Sequence, residues 1–135
     1  MSFARFMELA LYTPGLGYYA AGARKFGADG DFVTAPEISA LFGQTLARTV
    51  GAVLAQTGGD VLELGPGSGK LAQDMLLALD AAGQLPERYL LLEVSADLRQ
   101  RQQEFLATLP AHIAGRLQWL DEIPDAFTGC VVANE

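Results

Sequence analysis

Cysteine and histidine are almost missing from these 135 residues, with one of each, Cys130 and His112. A lone cysteine excludes an internal disulfide, and Cys130 falls in an apolar run, so it reads as a small core residue. A lone histidine, beside Pro110 and Ala111, reads as a loop residue. It leaves too few parts for a Ser-His-Asp triad or a Cys/His metal centre, and no metal ion is expected. Basic residues are scarce as well: 9 Lys+Arg stand against 16 Asp+Glu, a net charge of −7. That balance disfavours a nucleic-acid partner and suits a basic protein segment or a small molecule. No apolar stretch reaches membrane-spanning length and no basic leader precedes a cleavage site, so membrane insertion is not expected and a cytoplasmic setting is. What is present is globular in composition, half hydrophobic and 19% charged, and long enough for one domain with a real core.

The chain is organised around Val61-Leu62-Glu63-Leu64-Gly65-Pro66-Gly67-Ser68-Gly69-Lys70-Leu71. A short apolar run ends in a carboxylate, breaks into alternating glycines, and gives way to helical periodicity. This is the pattern of a buried parallel strand, a tight turn and a helix N-terminus. Glycines there let the backbone approach a ligand and supply positive φ. A Walker A loop does not fit, because Leu64 and Leu71 stand where glycine and a magnesium-binding hydroxyl are needed. The dinucleotide fingerprint G-x-G-x-x-G fails at Lys70. The pattern Glu-x-Gly-x-Gly-x-Gly resembles motif I of the class I S-adenosylmethionine-dependent methyltransferases. A carboxylate so close to the loop suits a cationic ligand better than a pyrophosphate, which it would repel.

Taken in order, Ser2 can cap a helix carrying Phe3, Phe6, Met7 and Ala10, stopped by turn residues 12–17. Residues 13–33, glycine-rich and bearing Tyr18, Tyr19, Phe26 and Phe32, read either as a lid or binding loop or as aromatic packing. Thr34, Pro36 and Glu37 read as cap, first turn and capping-box partner of a long helix, whose apolar stripe runs from Ile38 to Leu54 and which Gly58-Gly59 ends. Strand 60–64, the glycine loop and a helix over 69–82 follow. A second strand is expected over 89–94, then a helix capped by Ser95, a strand at 117–120 and a strand at 130–133. Strands alternating with helices imply right-handed crossovers and a parallel, doubly wound α/β sheet of Rossmann-like kind. We divide the chain into a helical, lid-like segment, 1–58, and a half-domain for cofactor binding, 59–135.

Ligands of such sheets bind at the carboxyl ends of the strands. Glu63, Glu93, Asp121 and Asn134-Glu135 all fall there. Glu93, one βαβ unit past the glycines and followed by Val94, is placed to accept both hydroxyls of a ribose, which methyltransferases and NAD enzymes share. Each acid alone could simply cap a helix or face solvent.

The same residues carry a closer resemblance. Ser2 to Tyr12 with Pro14-Gly15-x-Gly17-Tyr18-Tyr19, the block Gly30-Asp31-Phe32-Val33-Thr34-x-Pro36-Glu37-Ile38-Ser39, the glycine motif, Tyr89-x-x-x-Glu93-x-Ser95, Trp119 and Ala133-Asn134-Glu135 are similar, in order, to the MidA-like family of methyltransferases. The resemblance implies a class I fold with S-adenosyl-L-methionine as cofactor and S-adenosyl-L-homocysteine as product. It places Glu63, Gly65, Gly67, Gly69, Glu93, Val94 and Asp121 at the cofactor. Methyl transfer to a protein arginine is the implied activity, since the family includes the mitochondrial complex I assembly factor; a respiratory complex I subunit is then an expected protein partner. A mitochondrial location would require a leader that this sequence lacks. Glu135 is the foremost candidate to hold a guanidinium, with Asn134, Asp31 and Glu37 as further catalytic candidates. The family continues past Asn-Glu into further strands, so the chain reads as an N-terminal portion that self-associates through its uncovered sheet. The competing readings are a docking module without catalysis and a nucleotide-dependent oxidoreductase. If the glycine turn serves a ligand, Gly67→Val is expected to abolish cofactor binding before it unfolds the domain. Binding and thermal melting measured on the same variant decide this, and retained affinity would reduce the loop to a turn.

Overall fold

The computed structural model describes residues 1–20 and 33–134. Helix α1 (Phe3–Tyr12) is followed by α2 (Ala35–Ile38), α3 (Ala40–Thr57), strand β1 (Asp60–Leu64), α4 (Lys70–Ala81), β2 (Tyr89–Leu92), α5 (Ala96–Leu106), α6 (Ala111–Ala114), β3 (Leu117–Leu120) and β4 (Gly129–Ala133). The strands form one four-stranded sheet in the order β3-β2-β1-β4, and every pairing is parallel. The chain steps outward from β1 through β2 to β3, then returns to the other side of β1 as β4. The direction of winding therefore reverses between β1 and β4, and a crevice opens at their carboxyl ends. The expected Rossmann-like α/β architecture is the one observed, with four parallel strands.

Register explains which side of the sheet holds the core. Val61 pairs with Tyr89 and Cys130, and Glu63 with Leu91 and Val132. Partners in register share a face, so these side chains line one surface. Val61, Tyr89, Leu91 and Val132 bury there against Ala47, Val50 and Leu54 of α3 and Leu71, Met75, Leu76 and Leu79 of α4. Cys130 packs against the edge of this cluster. The opposite face is less protected on β4, where Val131 is 54% exposed and Ala133 is exposed. Helices α3 and α4 lie close because Gly43 sits against Asp74, whose carboxylate pairs with Lys70 one turn away.

Several local expectations are corrected. The helix over 34–57 is two helices, because Ser39 adopts an extended conformation (φ −157°, ψ 136°) and its hydroxyl accepts from Leu41 N–H at 3.1 Å. The capping box does not form: the Thr34 side chain makes no cap bond, and the Glu37 carboxylate turns to Ser68 instead. The second strand stops at Leu92 rather than 94, so Glu93 and Val94 lie just past its end. His112 sits in the short α6 rather than in a loop, and its Nε2 lies 2.9 Å from Asp80 Oδ1. Helix α1 does form, with Ser2 as its cap, yet none of its residues is buried, and Phe3 is 76% exposed. Among the described residues no helix is long and apolar enough to cross a membrane.

The α3–α4 contact yields a prediction. A methyl group at Gly43 would stand 2.6 Å from Asp74 Cβ, so the helices must separate. Alanine gains up to about 1 kcal/mol in helix propensity, but overpacking costs about 1–3 kcal/mol. Gly43→Ala is therefore expected to lower stability to urea by about 1–2 kcal/mol.

Candidate cofactor site

The turn after β1 is built by backbone demands. Gly65, Gly67 and Gly69 have φ of 63°, 56° and 84°, all in the left-handed region that side chains avoid. Gly69 N–H closes the turn on Pro66 O at 2.8 Å, and Gly65 N–H bonds Leu92 O at 3.0 Å, tying the loop to the next strand. The Ser68 hydroxyl accepts from Lys70 N–H at 3.2 Å, satisfying an orphan donor at the start of α4, and donates to Glu37. Helix α2 is thereby fastened onto the loop.

A cavity of about 230 Å³ opens beside this turn. Among the described residues, the carboxylates in its wall are Glu37, Glu63 and Glu93, and no described Lys, Arg or His side chain lines it. Glu63 is 2% exposed and accepts the Tyr89 hydroxyl at 2.7 Å. Tyr89 pairs with Val61, two positions before Glu63, so its ring reaches forward along the same sheet face. Burial pushes the Glu63 carboxyl up to about 7, although the tyrosine bond works the other way. Glu93 is also buried and raised, because desolvation outweighs the donors on it. Its Oε1 accepts Ser95 N–H at 2.8 Å and its Oε2 accepts Gln102 Nε2 at 3.1 Å.

The far wall comes from the N-terminal segment. Tyr12 and Tyr19 line the cavity and stack at 5.7 Å, while Tyr18 meets Tyr19 edge-on at 5.0 Å. Tyr19 O accepts the Ser95 hydroxyl at 2.7 Å, which latches this wall to the start of α5. Of the aromatics that the sequence leaves open between packing and binding, Tyr19 lines the cavity and Tyr18 packs on its ring, while Phe26 and Phe32 lie outside the described residues. Gln102 was missed altogether. Its signal was its place: it stands four residues from both Leu98 and Leu106, on the buried stripe of an otherwise polar helix.

Of the residues expected at the site, Glu37, Glu63, Gly65, Gly67, Glu93 and Asn134 come together around the cavity. Gly69 is buried behind it as the N-cap of α4. Val94 is 66% exposed and lies outside the lining. Asp121 is exposed and ion-paired with Arg99, and it too lies outside the lining. Asp31 and Glu135 fall outside the described residues.

With this geometry in view, comparison with known proteins is decisive. The sequence profile of a family of S-adenosyl-L-methionine-dependent methyltransferases matches residues 41–135. The chain belongs to that family. The MidA-like resemblance read from its motifs is thus borne out. The structure of a relative from Burkholderia thailandensis, bound to S-adenosyl-homocysteine, superposes with a TM-score of 0.88 at 46% identity, covering 98% of this chain and 36% of that one. The mitochondrial protein arginine methyltransferase NDUFAF7 homologue of Caenorhabditis elegans is 31% identical over 98% of this chain and 36% of its own length. NDUFAF7 of Danio rerio is 40% identical over 78% of this chain and 27% of its own. The chain therefore spans 36% or less of these relatives.

The residues present fit the family's cofactor. A wall whose described charged side chains are all carboxylates suits a sulfonium and an α-ammonium group. Gly67, in the cavity lining, has a left-handed φ that disfavours a side chain at that point of the wall.

The raised Glu63 carboxyl has a measurable consequence. Its proton is held more tightly in the folded chain than in the unfolded one, where the ordinary value is 4.5. The stabilisation from this group is complete below pH 4.5 and is lost as pH rises through about 7. The loss amounts to about 3 kcal/mol at 1.36 kcal/mol per unit. Glu93 acts in the same direction, so the comparison is with Glu63→Gln. Urea denaturation at pH 5 and pH 8 is expected to show a smaller difference in that variant.

Proposed function

We propose that this chain forms the cofactor-binding portion of an enzyme that methylates nitrogen from S-adenosyl-L-methionine, with a protein arginine side chain as acceptor. The observation that carries the reading is the cavity wall, in which Glu37, Glu63 and Glu93 stand with no cationic side chain among the described lining residues. Such a wall attracts a cation and repels the pyrophosphate of a nicotinamide dinucleotide. When bound, the cofactor supplies an electrophilic methyl group on positively charged sulfur.

The chain's own residues divide the work of holding it. Gly65 and Gly67 offer backbone without side chains, and Glu93, with both oxygens already anchored, has acceptor capacity left for the two ribose hydroxyls. Glu63, neutral or ionised near pH 7, gains its charge when a cation enters beside it. Tyr12 and Tyr19 add aromatic surface, which also favours a cation. The arginine acceptor is supported by the names of the Caenorhabditis and Danio relatives and by this acidic rim, since a guanidinium needs a carboxylate to orient it. In this reading Asn134, at the end of β4 on the rim, and the adjoining Glu135 receive the acceptor.

Calorimetric titration is expected to show binding of S-adenosyl-homocysteine and none of NAD. Glu93→Ala should weaken that binding by about 1.5–3 kcal/mol, the scale of hydrogen bonds to a charged group, without loss of fold. An unchanged dissociation constant would defeat the ribose role. Incubating the protein with radiolabelled S-adenosyl-L-methionine and a cell lysate, then locating the label by mass spectrometry, tests the acceptor. Label on arginine supports the proposal, and label on another nucleophile replaces that acceptor. Tight cofactor binding without any transfer would favour a docking role.

A further inference from the structure

Gln102 on α5 is completely buried, at 0% exposure, a position its helix otherwise fills with leucine. Its Nε2 donates to Gly67 O at 2.9 Å and to Glu93 Oε2 at 3.1 Å, and its Oε1 accepts Trp119 Nε1–H at 3.0 Å. An indole N–H can only donate. Trp119 therefore fixes which end of the amide is oxygen, and both amide hydrogens are directed to the glycine loop and to Glu93. No other side chain meets these demands in the same volume. Glutamate would set a second oxygen against two acceptors, and leucine would leave Gly67 O and the indole N–H without this partner.

Burying a carboxamide in place of an apolar residue gains little for packing, because its hydrogen bonds mainly offset desolvation. The gain lies in geometry. Gln102 is not among the residues lining the cavity, yet it joins the turn of β1 to the acid after β2 and, through Trp119, to β3. We propose that Gln102 is a positioning residue for the nucleoside end of the site: held by Trp119, it sets the spacing between the glycine loop and Glu93 so that the carboxylate meets a vicinal diol. This rests on the reading of Glu93 as the ribose acceptor. The carboxylate cannot rotate away, since Ser95 N–H holds its other oxygen at 2.8 Å. Discrimination for the diol then belongs to the network rather than to Glu93 alone.

The test is a ratio. Adenosine and 2′,3′-dideoxyadenosine compete against labelled S-adenosyl-homocysteine on the wild type, Gln102→Leu, Trp119→Phe and Glu93→Gln. Wild type is expected to prefer adenosine about tenfold or more, as one or two hydrogen bonds to a charged group allow. In Gln102→Leu the preference should fall to about threefold or less, with affinity for the dideoxynucleoside little changed. Trp119→Phe, which keeps the amide but removes its orienting donor, should show an intermediate ratio. A residue that only maintains the fold would weaken both nucleosides together and leave the ratio at the wild-type value, which would overturn the proposal. If Gln102→Leu does not fold, the ratio in Trp119→Phe decides, and an unchanged ratio there overturns it equally. Glu93→Gln separates the two levels. Loss of preference in Glu93→Gln but not in Gln102→Leu sinks the positioning role alone, whereas wild-type preference in Glu93→Gln sinks the ribose reading on which it rests.

Discussion

The structure depends on a backbone that must turn sharply at the end of a buried strand without placing side chains in the space ahead of it. Left-handed φ at Gly65, Gly67 and Gly69 achieves this, and nearly everything of functional interest is attached to the result. The Gly67 carbonyl is free to receive Gln102, Ser68 is presented to Glu37, and Glu63 comes to rest in the cavity wall beside Tyr89. A loop with side chains at those positions would lose its turn and, with it, the contacts that bring α2 and α5 to the site.

A second constraint is electrostatic. Carboxylates gathered in one wall repel one another and resist desolvation, and the described residues offset this with hydrogen-bond donors. Glu37 receives a hydroxyl, Glu63 a phenol, and Glu93 a backbone amide and a carboxamide. Among the described residues, Arg88 pairs with Asp60 and Arg99 with Asp121 outside the cavity lining. The site thereby keeps its attraction for a positive ligand, which internal ion pairs would have cancelled.

How much of this was legible follows from how local each signal is. The strand–turn–helix around Glu63 was legible because the turn's dihedral demands leave glycine in the sequence, and strand alternation with helices gave the parallel sheet. Glu93 was legible from its place one βαβ unit on. Glu37 was misread, because its local spacing from Thr34 mimics a capping box while its partner, Ser68, is 31 positions away. The break at Ser39 was hidden by apolar periodicity running across it. Gln102 looked like one more polar residue in a polar helix, and only the tertiary arrangement, with Trp119 17 positions away, reveals it as a core residue.

The latch between Ser95 and Tyr19 has a kinetic side. Helix α1 buries none of its residues, and the contacts of its segment at the acid-bearing end of the sheet include the Ser95–Tyr19 bond and the aromatic pair. Elements with few buried contacts open at small free-energy cost, well before the core does. Opening of α1 would on that ground leave the sheet and its glycine turn intact, since no α1 residue belongs to the buried core. Changes in α1 would then bear on how a ligand enters and leaves beside Tyr12 and Tyr19 while leaving the buried core that holds the glycine turn untouched.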